Sequence, residues 1–220
     1  MKGKNLLWVL GLGIVVMAIG LVGGCSQGPG TPGSIDQTTP VINISSPVTN
    51  IKVNTSMINI QGTIDDNSIA ATCLILNGAP QNIDVNSGSF NASINLIKGS
   101  NTVKVSATNS SGNTGISEEI LIIYDPDAPL VRITSPTNGL ITNNSTISIL
   151  GDVDDSSIST TAIIINGDES NITIVSGTFN KTITLLSSSN IIEVKAIDSA
   201  GNIGRSGEYK IILDNMVTFV

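Results

Sequence analysis

Residues 40–125 and 129–214 are the same sequence written twice. Displacing the chain by 89 positions aligns the two stretches without a gap, and 38 of the 86 paired positions are identical. Pro40 falls on Pro129, Gly62 on Gly151, Asp65-Asp66 on Asp154-Asp155, Asn77-Gly78 on Asn166-Gly167, Phe90 on Phe179 and Gly112-Asn113 on Gly201-Asn202. Solenoid units run to 20–50 residues, so a repeat of this length is a whole domain. Whatever one copy folds into, the other must fold into as well.

Composition narrows the class. Charged residues are 12% of the chain, against roughly 25% in an average soluble protein, and Ser, Thr, Asn and Gly take their place. Beyond residue 24 there are 8 basic and 17 acidic side chains, a balance of 8 − 17 = −9. That sign argues against nucleic acid as a partner, because binding a polyphosphate needs a positive surface that displaces counterions. The chain has no histidine, so the commonest general base and metal ligand is missing.

The first 25 residues read as an export and anchoring signal. Lys2 and Lys4 precede an uncharged run from Leu6 to Gly24, with Leu6–Ile19 apolar enough for a secretory core. Leu21-Val22-Gly23-Gly24-Cys25 resembles a bacterial lipobox, which implies a signal peptide over 1–24 and a lipid attached to the Cys25 thiol. The expected location is therefore extracytoplasmic: a lipoprotein of the cell envelope, held at a membrane by its N-terminus. The alternative is an uncleaved membrane-spanning helix, for which the 19 residues from Leu6 to Gly24 are barely long enough. Residues 25–39, rich in Gly, Pro and Thr, predict a flexible tether. The other cysteine, Cys73, sits where the second copy has Ala162. It reads as a small buried thiol, the other possibility being a disulfide with Cys25.

Each copy is a series of short β-branched runs separated by turn dipeptides, the pattern of an all-β domain. Strands are expected near 41–45, 56–64, 70–77, 81–86, 89–97, 101–109 and 116–124, and 89 positions later. Asn77-Gly78 and Asn166-Gly167 suit type I′ hairpin turns. Val103, Val105 and Ala107 alternate with Lys104 and Ser106, the period of two that half-buried strands require. Ile58, Ile60, Leu74, Leu76, Phe90, Ile94 and Ile122 complete the candidate core. Lys181 falls on the same side as Phe179 and Ile183, which predicts a bend or a sheet edge there. Seven strands in each copy predict two tandem immunoglobulin-like β-sandwiches, over 40–125 and 129–214, with a linker at 126–128 and a tail at 215–220.

The second copy has an opening strand ending in Ser135-Pro136, then Gly151, Val153 and Asp155 at alternate positions, and Asn166-Gly167. It continues with Gly177-x-Phe179 and closes on Ala196-x-Asp198-x-x-Gly201-Asn202. With these marks it resembles bacterial Ig-like modules of the glucodextranase B-domain type. The resemblance covers 40–214 and implies a fold more than a function, since such modules serve as spacers or binding units in many surface proteins.

Few residues carry candidate chemistry. Asp65-Asp66 and Asp154-Asp155, with Asp198 or the junction Asp125-Pro126-Asp127-Ala128-Pro129, could offer oxygens to calcium. The same aspartates could equally cap turn amides. Paired carboxylates also suggest a glycosidase, but two small sandwiches offer little concavity, and no catalytic residues or cofactor are expected. Sugar platforms stack on exposed aromatic rings, and beyond residue 25 there is no Trp and only Tyr124 and Tyr209; Phe90 and Phe179 read as core. The expectation is a non-enzymatic envelope protein that displays two modules for structural or adhesive contacts with an envelope protein or a glycan. The alternatives are an accessory carbohydrate-binding unit of a polysaccharide-processing system, and a spacer without a ligand.

Overall fold

The structure, a computed structural model, describes residues 36–214 and 216. The expected signal, Cys25, the expected tether up to residue 35 and most of the tail lie outside the described residues.

The first copy contains β1 (Val41–Ser46), β2 (Ile51–Val53), β3 (Met57–Asp65), β4 (Ile69–Leu76), β5 (Ala79–Asn82), β6 (Val85–Asn86), β7 (Ser89–Asn95), β8 (Gly99–Asn109), β9 (Thr114–Ile116) and β10 (Ile120–Tyr124). The second contains β11 (Leu130–Ser135), β12 (Ile141–Thr142), β13 (Thr146–Asp154), β14 (Ile158–Ile165), β15 (Asp168–Asn171), β16 (Thr178–Thr184), β17 (Ser189–Asp198), β18 (Ile203–Arg205) and β19 (Tyr209–Leu213). No helix occurs among the described residues. Each copy is two sheets packed face to face. In the first copy the smaller sheet runs β1-β3-β7-β6 and the larger β2-β10-β8-β4-β5, with β9 also paired to β8. In the second the orders are β11-β13-β16 and β12-β19-β17-β14-β15, with β18 on β17.

The cores form where the alternation places them. Ile60, Leu74, Phe90, Ile94, Val103, Val105, Ala107 and Ile122 are buried between the first pair of sheets. Ile149, Ile163, Phe179, Ile183, Ile192, Val194, Ala196 and Ile211 fill the second. The two cores are separate clusters, so each copy is its own sandwich. Phe90 lies opposite Gly62 on the neighbouring strand, and Phe179 opposite Gly151. A Cβ on Gly62 would meet the Phe90 ring at 2.4 Å and one on Gly151 the Phe179 ring at 2.2 Å. The glycine is the space the ring occupies.

Both expected hairpins take the required backbone: φ is 51° and 82° at Asn77-Gly78, and 53° and 96° at Asn166-Gly167. Lys181 does fall at an edge, since β16 is the outer strand of its three-stranded sheet.

The strand plan differs from expectation in three places. The run 81–86 is two strands in two sheets, because the chain leaves β5 at Asn82 and crosses to β6. The run 116–124 is broken into β9 and β10 at Ser117. There the side chain substitutes for ladder bonding: its Oγ accepts the Val105 N–H (3.0 Å) and donates to the Glu118 carbonyl (2.8 Å). Ser206 repeats this with Val194 (2.9 Å) and Gly207 (2.8 Å). Finally, β2 and β12 pair parallel to β10 and β19 at the sheet edge; these three- and two-residue segments are too short for periodicity to reveal.

Candidate functional site

Three polar constructions recur in both copies. The first clamps the chain where it arrives at each sandwich. Asn113 Nδ2 donates to the Asp36 carbonyl (2.9 Å), and Asn202 Nδ2 donates to the Asp125 carbonyl (2.8 Å). Asp36 and Asp125 are themselves 89 positions apart. The lead then runs against a glycine: a Cβ on Gly115 would lie 1.9 Å from the Pro40 carbonyl oxygen, and one on Gly204 1.9 Å from that of Pro129. Residues 36–39, expected as the end of a flexible tether, are therefore tied to the first sandwich, and the expected linker at 126–128 continues a lead bonded to the second. Lys98, on the loop after β7, forms an ion pair with Asp127. The hydrogen bond and charge of Asp127 raise the Lys98 pKa.

The aspartate pairs cap turns. Asp66 Oδ1 accepts the Ser68 N–H (2.7 Å) and hydroxyl (2.8 Å), and Asp155 Oδ1 accepts the Ser157 N–H (2.6 Å). Burial alone would raise the Asp66 pKa, but these Ser68 bonds and one from Asn109 outweigh it and hold the carboxyl below the ordinary range. The neighbouring Asp65 and Asp154 end their strands exposed. Asn109 and its counterpart Asp198 are both buried. Asn109 Nδ2 donates to the Thr38 carbonyl (3.0 Å) and to the carboxylates of Asp36 and Asp66 (both 3.2 Å). Its Oδ1 accepts the N–H groups of Ser111 (3.1 Å) and Asn113 (2.9 Å), as Asp198 Oδ1 accepts those of Ala200 (2.9 Å) and Asn202 (2.8 Å); Asp198 Oδ2 also accepts the Asn202 amide (2.8 Å). Burial raises its pKa and these bonds more than reverse the effect, leaving it lowered. Among the described residues, no group of three His, Cys, Asp or Glu side chains is placed to hold a metal ion.

The second construction is a fully buried asparagine. Asn101 Oδ1 accepts the Ile97 N–H and the Asn77 amide (both 3.0 Å), while its Nδ2 donates to the carbonyls of Ile97 (2.8 Å) and Gly99 (2.9 Å). Asn190 does the same for Leu186, Asn166 and Ser187. Each asparagine fixes a loop whose tip carries an exposed aliphatic, Ile97 or Leu186.

The third is a cleft of about 640 Å³ in the first copy and about 550 Å³ in the second, open along one side of each sandwich. Its floor is Ile69–Thr72 or Ile158–Thr161, and its wall is the crossing chain Asn82–Val85 or Asn171–Ile174. The rim is Ser87-Gly88 or Ser176-Gly177. Thr72 Oγ1 donates to the Ile83 carbonyl and Thr161 Oγ1 to that of Ile172 (2.7 Å), holding the wall in place. No aromatic ring lines either cleft.

Phe90 and Phe179 are core, as expected, and Tyr209 donates its hydroxyl to the Ile133 carbonyl (2.9 Å). Cys73 is buried, as is its counterpart Ala162. Sequence reasoning missed the clefts, Asn101, Asn190 and the lead clamp. Identity between copies at Asn101/Asn190 and Asn113/Asn202 was the available signal, since uncharged polar residues kept through such divergence have a structural duty.

Two face-to-face sandwiches with separate cores and a clamped junction define a tandem of immunoglobulin-like modules. The family described as glucodextranase, domain B, matches residues 40–125 and again 129–212. The chain belongs to that family. It is 29% identical over 171 residues to bacillopeptidase F of Bacillus subtilis, covering 76% of this chain and 11% of that protein. The chain thus corresponds to a small part of that relative's length. Among solved structures, the fibronectin(III)-like modules of Clostridium thermocellum CbhA share the fold at 18% identity, with a TM-score of 0.54, covering 82% of this chain and 98% of theirs. The I67–I69 fragment of the titin I-band does so at 9% identity, with a TM-score of 0.59, covering 80% of this chain and 66% of the fragment.

Proposed function

We propose that this chain is a lipid-anchored protein of the cell envelope that displays two Ig-like modules for structural or adhesive contacts. The carrying observation is the order of parts: a basic start, an apolar run and Leu21–Cys25, followed by two modules whose leads are each clamped to the sandwich they serve. Acyl chains at Cys25 would hold the protein firmly once two or more are attached, at about 0.8 kcal/mol per buried methylene. The stretch 26–35 would lift the first module off the headgroups.

A sulfur in a thioether cannot also sit in a disulfide, so acylation at Cys25 and a bond from Cys25 to another cysteine exclude each other. The mass of the mature chain separates the two. The reading expects a species beginning at Cys25 and carrying acyl chains, with alkyne-palmitate label incorporated into the wild type and absent from Cys25→Ser. An unlabelled wild-type protein with residues 1–24 still attached would overturn the anchor.

A further inference from the structure

The clefts mark a gap in each larger sheet. β4 has eight residues, yet only Cys73–Leu76 pair with β5; in the second copy only Ala162–Ile165 pair with β15. Beyond Asn82 and Asn171 the chain crosses toward the smaller sheet, bonding back through the Thr72 and Thr161 side chains and, in the second copy, from the Ile172 N–H to the Thr161 carbonyl (3.1 Å). Ile69–Ala71 and Ile158–Thr160 thus have β8 or β17 on one flank and no strand on the other, and the clefts open along that flank.

The neighbouring edge is protected and this one is not. Sheet edges are commonly blunted by proline or charge. β5 carries Pro80, and β15 carries Asp168 and Glu169. The open flank carries Ile69, Ala70 and Ala71 in one copy and Ile158, Ser159 and Thr160 in the other, with no proline and no charge. A one-residue irregularity, at Ala70 and at Ser159, recurs in the pairing with β8 and β17 and keeps the available ladder short. The lining has no Lys or Arg in either copy; Asp66 and Asp84 face the first cleft, but only Asp155 the second, where Thr173 replaces Asp84. Asp84 is exposed at the cleft wall.

We propose that each open flank accepts a short extended segment of a partner polypeptide as an added strand, and that the first copy selects segments bearing Lys or Arg. Backbone bonding would supply the attachment and the cleft carboxylates the preference, as in other strand-addition complexes. The inference deepens the reading of the modules as contact units and is independent of the anchor, so loss of acylation would leave it standing.

The test uses the full chain in detergent and a ten-residue peptide of alternating Thr and Val with two lysines at each end. Titration followed by backbone amide shifts should move Ala70, Ala71, Ser159 and Thr160 first. N-methylation of alternate peptide amides should weaken binding at least tenfold. Asp84→Lys should weaken the first site about tenfold and leave the second unchanged, while Thr173→Asp should tighten the second. Perturbations elsewhere, equal binding by the N-methylated peptide, no binding, or perturbation of the clefts only by a neutral oligosaccharide would each overturn the proposal.

Discussion

At the pole where the chain arrives, the two copies share one turn and differ at a single side-chain atom, the amide nitrogen of Asn109 against a carboxylate oxygen of Asp198. Both side chains accept the backbone N–H groups two and four residues on through Oδ1, but Asn109 Nδ2 also donates to two carboxylates and a carbonyl. Where Asn109 has that nitrogen, Asp198 has Oδ2, which accepts the Asn202 amide and bonds neither the Asp125 nor the Asp155 carboxylate. The copies differ nearby as well: Ser68 Oγ donates to Asp66, whereas Ser157 Oγ is buried with no hydrogen-bond partner. Yet Asn113 and Asn202 hold the lead in the same way. The framework depends on the asparagine clamp and the glycine beneath it, and it tolerates an exchange of amide for carboxylate beside them.

The largest effect should come from the rings that sit over glycine. Phe90→Ala or Phe179→Ala removes a buried ring from a core with no other aromatic in its centre and should cost about 3–5 kcal/mol. Denaturant unfolding should show the loss in one transition while the other keeps its midpoint. The buried asparagines come next. Asn101→Ala or Asn190→Ala strands the carbonyls that its amide satisfied, a loss on the order of 3 kcal/mol. Hydrogen exchange should then show lost amide protection in the loop of the altered copy alone. Gly115→Ala and Gly204→Ala press a methyl on the lead carbonyl and should cost about 1–3 kcal/mol, with limited proteolysis now cutting near residue 38 or 127.

Asp198→Asn tests the contrast itself and should have the smallest effect. At neutral pH the new amide can take up the donor role of Asn109, so stability should change by less than about 1 kcal/mol. The difference emerges in acid. Asp198 has a folded pKa below its unfolded one, so its contribution is complete above the ordinary carboxylate value of about 3.9 and disappears as pH falls through the lower folded value. The variant's second transition should therefore decline less steeply below about pH 4. An unchanged slope would mean that Asp198 has no part in acid unfolding.

How far the sequence reached depends on the kind of signal. Period-two alternation placed Val103, Val105 and Ala107 and their counterparts correctly, and the two Asn-Gly turns were legible because few other dipeptides accept positive φ twice. Strand breaks at Ser117 and Ser206 were not, because a side chain that mimics the backbone leaves the hydrophobic pattern intact. Nor was the crossing at Ile83-Asp84, where one continuous strand-like run, Gln81–Asn86, serves two sheets. The clefts arise from that crossing, so the site became visible only once the chain path was known. The asparagine clamps were present as identities between copies, but an identity states that a residue matters without stating what it touches.

The central claim is that each half closes its own sandwich, with its lead as part of it. Amide shifts of the isolated 36–125 segment against those of the full chain test this most directly. The shifts should coincide across β1 to β10 apart from residues beside the junction, such as Lys98, which pairs with Asp127 in the full chain. A segment that gives a collapsed, poorly dispersed spectrum would contradict it.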